Sequence, residues 1–373
     1  MTSRDAHIAL NLIGGLGPVT IRRLIAALGS PQAILEADSP ALRAVRGIGE
    51  KLAERILAGR DEADPGAEEA RAEAFGAHIV TPADDGYPAP LRTIHDPPPA
   101  LYVMGEWKPE DERSVAIVGS RATSRYGLSA ADRLAYRLAA TGFAVVSGLA
   151  RGADTAAHRG ALKGGGRTIA VLGGALDRLY PPENAELADA IAKNGAVMSE
   201  YPMGRRADRM TFPYRNRIIS GLSMGTLLIE SDAKGGSMHT IDAATEQGRL
   251  IFALPGRIDV PGSHGPHRLI KSGAKLVERV EDILEEFEFL PPEAREAPEE
   301  ALAARPEVPL SETERKVVET LWRESMDVDS LARAAGLKSH ELSGLLLGLE
   351  MKRVVRLLPG RVVELADDLR RMR

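Results

Sequence analysis

The chain of 373 residues contains no cysteine, which removes disulfides and thiolate metal centres from the chemistry open to it and fits a reducing compartment. No run of about 18 apolar residues occurs, and the opening MTSRDAHIAL lacks a charged segment followed by a long apolar one. Neither a membrane span nor a secretory signal is read, so a cytoplasmic protein is expected. Aromatic residues are scarce at 4 %. That limits the ring platforms on which single-strand binders stack bases, and leaves phosphate contacts to carry more of any nucleic-acid binding.

What is present is enough apolar material for a substantial core, at 44 % hydrophobic residues, in a length suited to two or three domains. Charge is unevenly divided. Residues 113–279 carry 23 Lys/Arg against 14 Asp/Glu, whereas the remainder has 25 against 39. The basic excess coincides with the one segment that repeats strand, glycine loop and helix, a combination that points to a polyanion held on a parallel sheet.

Residues 1–75 read as all-helical, with glycine turns at Leu16-Gly17-Pro18 and Val45-Arg46-Gly47-Ile48-Gly49 that resemble helix-hairpin-helix motifs. Two such degenerate turns also suit a small packing domain. A Pro/Asp-rich connection, TPADDGYPAPLRTIHDPPP, leads to LYVMG, read as an edge strand of the coming sheet. The domain expected over residues 76–284 then runs through VAIVG (115–119), AVVSG (144–148), TIAVLG (168–173), AVMSE (196–200), TLLIE (226–230) and LIFALPG (250–256). Short apolar runs alternating with helices predict a parallel sheet covered on both faces. Residues 285–308 hold eight Glu and two Arg and read as a solvated linker. Residues 309–373 predict three helices and a hairpin, the pattern of a winged helix.

Ligands of open α/β sheets bind beyond the carboxyl ends of the strands. Here those ends carry Gly119-Ser120-Arg121, then Ser147-Gly148-Leu149-Ala150-Arg151, then Gly173-Gly174, then Lys234-Gly235-Gly236-Ser237. Each loop offers backbone N–H groups at a helix start, so several around one crevice make a phosphate site. A dinucleotide is disfavoured: Arg121 stands where G-x-G-x-x-G needs its second glycine, and AVVSG ends in Ser147 and Gly148 where a ribose-binding acid belongs. Within Phe212-Pro213-Tyr214-Arg215-Asn216-Arg217-Ile218, two arginines at a helix N-terminus oppose the macrodipole and call for an anion, supplied by a ligand or internally by Glu200 or Glu230.

Other chemistry finds little support. His264 and His267 share a Gly/Pro loop with only Asp259 nearby, a poor zinc set. Asp154 and His158 stand four apart, read as a helix cap and a solvated histidine, and no triad is evident. No cofactor and no metal are expected.

Taken in order, VAIVGSRATSRYG, VVSGLARGADTAAHRGAL, TIAVLGGALDRLYPPEN, SEYPMG, FPYRNRIISGLS and GGSMHTIDAATEQGRLIFALPG resemble the DNA-processing protein A (DprA/Smf) family over roughly residues 86–280. The flanking helix-hairpin-helix-like (SAM-like) and winged-helix-like units look like family features too. The resemblance implies an extended Rossmann-like domain and a protein without known catalysis. Such a protein binds single-stranded DNA, dimerises through that domain and helps load the RecA recombinase in natural transformation. It places a phosphate pocket on Gly119, Ser120 and Arg121, with Ser147, Gly148, Arg151, Arg215, Asn216, Arg217, Lys234, Gly236 and Ser237 as further lining. There are departures. Pro182 occupies the position where relatives carry a basic residue in Tyr180-Pro181-Pro182-Glu183-Asn184, a charge that Arg178 or the cluster Arg205, Arg206 and Arg209 could replace, and His267 stands where relatives tend to have Asn. The enzymatic alternative is a phosphoribohydrolase of the lysine-decarboxylase-like type, because Gly235-Gly236-Ser237-Met238-His239-Thr240 with Glu246 loosely resembles its GGxGT…E loop.

In the last unit, Leu342, Leu345, Leu346 and Leu349 mark the buried side of the third helix, leaving Lys338 and His340 near its start. The wing holds Lys352, Arg353, Arg356 and Arg361. That supply predicts at most weak, salt-sensitive duplex binding, or a protein contact alone.

Overall fold

The computed structural model describes residues 1–287, 311–321, 326–352, 354–358 and 362–365. They form two compact units, one ending before and one beginning after position 298. Most of the expected linker, residues 288–308, lies outside the described residues, as do Arg353 and Arg361.

The chain opens with six helices, α1 (Ser3–Leu12), α2 (Pro18–Leu28), α3 (Pro31–Glu36), α4 (Ser39–Arg43), α5 (Glu50–Glu62) and α6 (Pro65–Ala74). Their starts are written locally: Ser30, Asp38 and Asp64 each accept a hydrogen bond from the backbone N–H three residues on, with proline in the first turn behind each cap. The two expected hairpins are present, Gly17 and Gly49 forming the N-caps of α2 and α5. Ala6, Leu10, Leu24, Ile34, Leu42 and Ile56 build a core of their own. The helices also dock on the sheet, Ile8 packing with Tyr102 and the Asn11 amide donating to the Glu200 carbonyl at 3.1 Å.

The sheet has nine strands: β1 (His78–Val80), β2 (Leu101–Gly105), β3 (Ser114–Val118), β4 (Ala144–Ser147), β5 (Thr168–Val171), β6 (Gly195–Ser199), β7 (Gly225–Leu228), β8 (Leu250–Ala253) and β9 (Lys275–Leu276). Their order is β1-β2-β6-β5-β4-β3-β7-β8-β9. The seven strands from β6 to β9 in that order run parallel, while β1 and β2 are antiparallel additions. LYVMG is therefore not the edge; the three residues of β1 cover it. Helices α8 (Arg125–Ala140), α9 (Ala153–Lys163) and α10 (Ala185–Lys193) pack on one face, and the short α7 (Ala89–Arg92), α11 (Thr211–Leu222) and α12 (Met238–Glu246) on the other. Alternation along β3 decides the partner: Val115 and Ile117 meet α8 and α9, whereas Ala116 and Val118 meet α11. Phe287 lies against Phe143 and Phe252, with ring centroids 5.5 and 6.1 Å away. The chain thus stays in the core past Leu284.

The second unit has a helix at Glu312–Leu321, a two-residue strand at Met326–Asp327, helices at Val328–Ala335 and Ser339–Met351, and a hairpin of Val355–Leu358 with Val362–Leu365. The short strand joins the hairpin in a three-stranded sheet, an addition that two residues are too few to announce in sequence. Leu342, Leu346 and Leu349 are buried in its core as their spacing predicts.

Candidate nucleic-acid interface

Strand order reverses between β3 and β7, which makes the crevice beyond their carboxyl ends the expected ligand position. Glu230, two residues after β7, fills it from within. Its carboxylate accepts hydrogen bonds from the Ser124 backbone N–H at 2.7 Å and the Ser124 hydroxyl at 2.6 Å, at the start of α8. The N-terminus of α8 therefore already holds an anion. Gly127 makes room for it: a Cβ there would lie 2.7 Å from the carboxylate carbon. Gly119 has a similar task, since its Cβ would stand 2.7 Å from that of Ala153. A nucleotide phosphate at the first glycine loop would have to displace this carboxylate.

The loops converge one step away, around the start of α11. Arg121 is exposed after β3 and lays its guanidinium over the Phe212 ring at 4.8 Å. Gly148, after β4, accepts a 2.6 Å hydrogen bond from Arg215, and its lack of a side chain is what admits that guanidinium, which a Cβ would meet at 2.6 Å. Asn216 accepts from Arg215 Nε and donates to the Gly236 carbonyl at 3.4 Å, tying α11 to the glycine loop after β7. In that loop the Ser237 hydroxyl donates to Ser231 Oγ at 2.9 Å, and Lys234 is exposed.

Several expected lining groups are nevertheless internal. Arg217 is only 6 % exposed and pairs with Glu200 at 2.5 Å and Asp96 at 2.8 Å. Burial works against its charge, but the two carboxylates hold the guanidinium protonated above its ordinary range, while burial pushes Glu200 up against the pull of Arg217. Arg215, 4 % exposed, donates to the carbonyls of Gly148 and Val171, at the ends of β4 and β5. Burial lowers it to about 10, with repulsion from Arg121 adding and Asp154 opposing. The Ser147 hydroxyl is buried and donates to the Ile117 carbonyl at 2.6 Å. The expectation that Arg215, Arg217 and Ser147 face a ligand is thus not met: the anion opposite Arg217 is internal, Glu200 together with Asp96, and Arg215 is held by backbone carbonyls.

The open cations are Arg121, Arg206, Arg209 and Lys234, none in an ion pair among the described residues. Arg151 is also exposed but pairs with Glu183. Arg205 pairs with Asp208 at 2.6 Å, and Arg178 approaches its neighbour Asp177 at 3.7 Å. Phe212 and Tyr180 belong to this surface, and nothing in the spacing of so few aromatic residues marks them in the sequence.

Asp154 accepts from the Ala150 N–H at 3.3 Å in a buried position where desolvation, against the pull of Arg215, raises its pKa to about 6. His158 is not solvated: it is fully buried, its Nδ1 lies 2.7 Å from the Thr168 hydroxyl, and burial lowers it to about 3, which keeps it neutral. Because the folded state holds the Asp154 proton more tightly than the unfolded chain, this group favours folding below its ordinary pKa of 3.8 and loses that contribution as pH rises through about 6. Asp154→Asn should therefore gain stability over the parent between pH 4 and pH 6, by on the order of 2–3 kcal/mol, and hold that gain above. Urea midpoints at a series of pH values check it; a gain that shrinks with rising pH contradicts the sign.

Residues 78–288 match the family model described as DNA recombination-mediator protein A, residues 300–361 the DprA winged helix domain, and residues 9–61 a SAM-like helix-hairpin-helix tandem. The chain belongs to the DNA-processing protein A family. It is 33 % identical to Protein Smf of Synechocystis sp. over 95 % of this chain and 96 % of that one. With DNA processing protein DprA of Streptococcus pneumoniae it shares 45 % identity over 206 residues, 55 % of this chain and 73 % of the relative. The crystal structure of DNA processing protein A from S. pneumoniae superposes with a TM-score of 0.66 at 33 % identity, covering 78 % of this chain and 99 % of that one. A Helicobacter pylori DNA processing protein A, described for its single-stranded DNA binding mode, follows at 0.51 and 31 % identity, with 56 % and 94 % covered. Against the DNA-processing protein A pattern, the departure at Pro182 falls on an exposed turn beside Glu183, and the Asn184 of that element is buried, donating to the Leu149 carbonyl at 2.9 Å. His267 lies with Nε2 3.0 Å from the Gly256 carbonyl oxygen.

No helix of the described residues is long and apolar enough to cross a membrane, and no group of three or more metal-ligating side chains occurs among them.

Proposed function

We propose that this protein binds single-stranded DNA through backbone phosphates on the surface around the start of α11, protects it and passes it to a RecA recombinase, acting in the cytoplasm as a homodimer in natural transformation and recombination. The observation that carries the reading is Arg121: an exposed guanidinium at the carboxyl end of β3, free of carboxylates, with Gly119 and Ser120 before it; Arg151, Arg206, Arg209, Lys234, Gly236 and Ser237 complete the proposed contact set. Arg215, Asn216, Arg217, Ser147 and Gly148 shape that surface from beneath. The binding mode named for the H. pylori relative and the mediator description of the family support it.

The hydrolase alternative is weakened by placement. Glu246 is the last residue of α12 and Gly235–Ser237 precede its first, which separates them by about 12 Å along the helix at 1.5 Å per residue. For the winged helix, duplex contact is at most weak: Lys352 is 2.8 Å from Glu314, so part of the wing's charge is matched inside the unit.

Anisotropy titrations of the full chain with labelled oligothymidine and with duplex, across salt concentrations, test the reading. Tight, steeply salt-dependent binding of the single strand and weak duplex binding are expected; equal affinity for both, or nucleoside monophosphate cleavage that depends on Glu246, would overturn it. Recombinase loading is tested by whether the protein speeds RecA filament assembly on coated single strands.

A further inference from the structure

Between the end of β6 at Ser199 and the start of α11 at Thr211 the chain has neither helix nor strand, yet it is tied on two flanks. On one flank stand residues of the helical domain. The Asn11 amide donates to the Glu200 carbonyl at 3.1 Å, and the Met203 backbone N–H donates to the Glu68 carboxylate of α6 at 2.8 Å. The Met203 side chain packs in one cluster with Ile8 of α1, Ala72 of α6 and Tyr102 of β2. On the other flank lies the turn after β5, where the Gly204 N–H donates to the Asp177 carboxylate at 2.8 Å and the Ala175 N–H to the Arg205 carbonyl at 2.8 Å. Glu68 is the unexpected member. It is fully buried beside an apolar contact, where a carboxylate costs stability that an apolar side chain of similar size would not, and it pairs with Arg71 one turn on. What the carboxylate adds is a charge-assisted acceptor for a loop N–H that has no strand or helix to join.

We infer that Glu68 is a positioning residue for DNA binding: from the helical domain it fixes the segment after β6, so that Arg206 and Arg209, a few positions beyond Met203, stand where phosphates of the strand pass. Both arginines are exposed, and neither forms an ion pair among the described residues. A cation on a loose segment is ordered only when the strand arrives, and the entropy lost in that ordering is subtracted from affinity; a segment already fixed in the free protein avoids most of that loss. Glu68 itself meets no DNA, because none of its surface is open. The helical domain then takes part in the grip through a buried hydrogen bond rather than through a contact of its own. This inference rests on the single-strand reading above and adds to it a support reaching the loop from another part of the chain.

The test uses the full chain and labelled oligothymidine. Glu68→Ala should weaken binding by about fivefold, a coupling typical of one hydrogen-bonded network, and should speed hydrogen exchange at the Met203 amide. Glu68→Gln keeps an acceptor for that N–H and should stay within about twofold of the parent in both measurements. In a chain already carrying Arg206→Ala and Arg209→Ala, Glu68→Ala should weaken binding no further, because the cations it places are gone. Four results overturn the positioning role and leave the single-strand reading standing: an equal loss with and without the two arginines, a Glu68→Gln variant as weak as Glu68→Ala, affinity or Met203 exchange unchanged in Glu68→Ala, or a double arginine variant that binds like the parent. A parent that does not bind oligothymidine overturns both. Urea midpoints verify that each variant is folded at the assay temperature. Should Glu68→Ala not be, Asn11→Ala, which removes only the 3.1 Å tie to Glu200, takes its place, with a smaller loss that must likewise vanish in the double arginine background.

Discussion

Arg121→Ala should weaken oligothymidine binding by about tenfold and lower the slope of log affinity against log salt by about 0.7, the share of one phosphate on a single strand. The loss should be the same for every base composition, because a phosphate contact carries no sequence information. Stability should change by less than about 0.5 kcal/mol, since the side chain is exposed and has no carboxylate to leave unpaired. The same titration series run on oligomers of different composition reads all three quantities at once. Unchanged affinity and slope in a folded variant would make Arg121 a structural cover for Phe212 and no more.

Arg217→Met should do the opposite. Removing this guanidinium strands the buried Glu200 and deprives Asp96 of its partner, a change of about 3–5 kcal/mol in stability. Adding Glu200→Gln to the variant should recover a good part, because the uncompensated charge then disappears along with its partner. Urea midpoints of the parent, the single and the double variant measure it, and DNA affinity under conditions where the single variant remains folded should stay close to that of the parent. A single variant that is as stable as the parent but cannot bind the strand would place Arg217 on the contact surface.

These two arginines show where sequence reasoning carries and where it stops. Arg121 follows a glycine turn at the end of β3 and Arg217 lies within α11, yet both are arginines in the same basic segment of the chain. What separates them is Asp96, in a proline-rich connection 121 positions before Arg217, together with Glu200. Glu200 can be named from the sequence as a partner; Asp96 cannot, because nothing in local spacing links that connection to α11. The parallel sheet was readable since its strands are apolar runs between amphipathic helices, and the winged helix since its leucines keep helical spacing. Strands β1 and β9, with three and two residues, are too short to carry a period. The convergence of loops around α11, rather than around the first glycine turn, depends on Glu230 reaching Ser124 across the switch point, a contact between residues 106 positions apart.

That carboxylate decides what the start of α8 can hold. Phosphates bind readily at the amino ends of helices on sheets of this kind. Here the amino end of α8 is tenanted by the protein's own Glu230 side chain, so a phosphate reaches those amides only by displacing it.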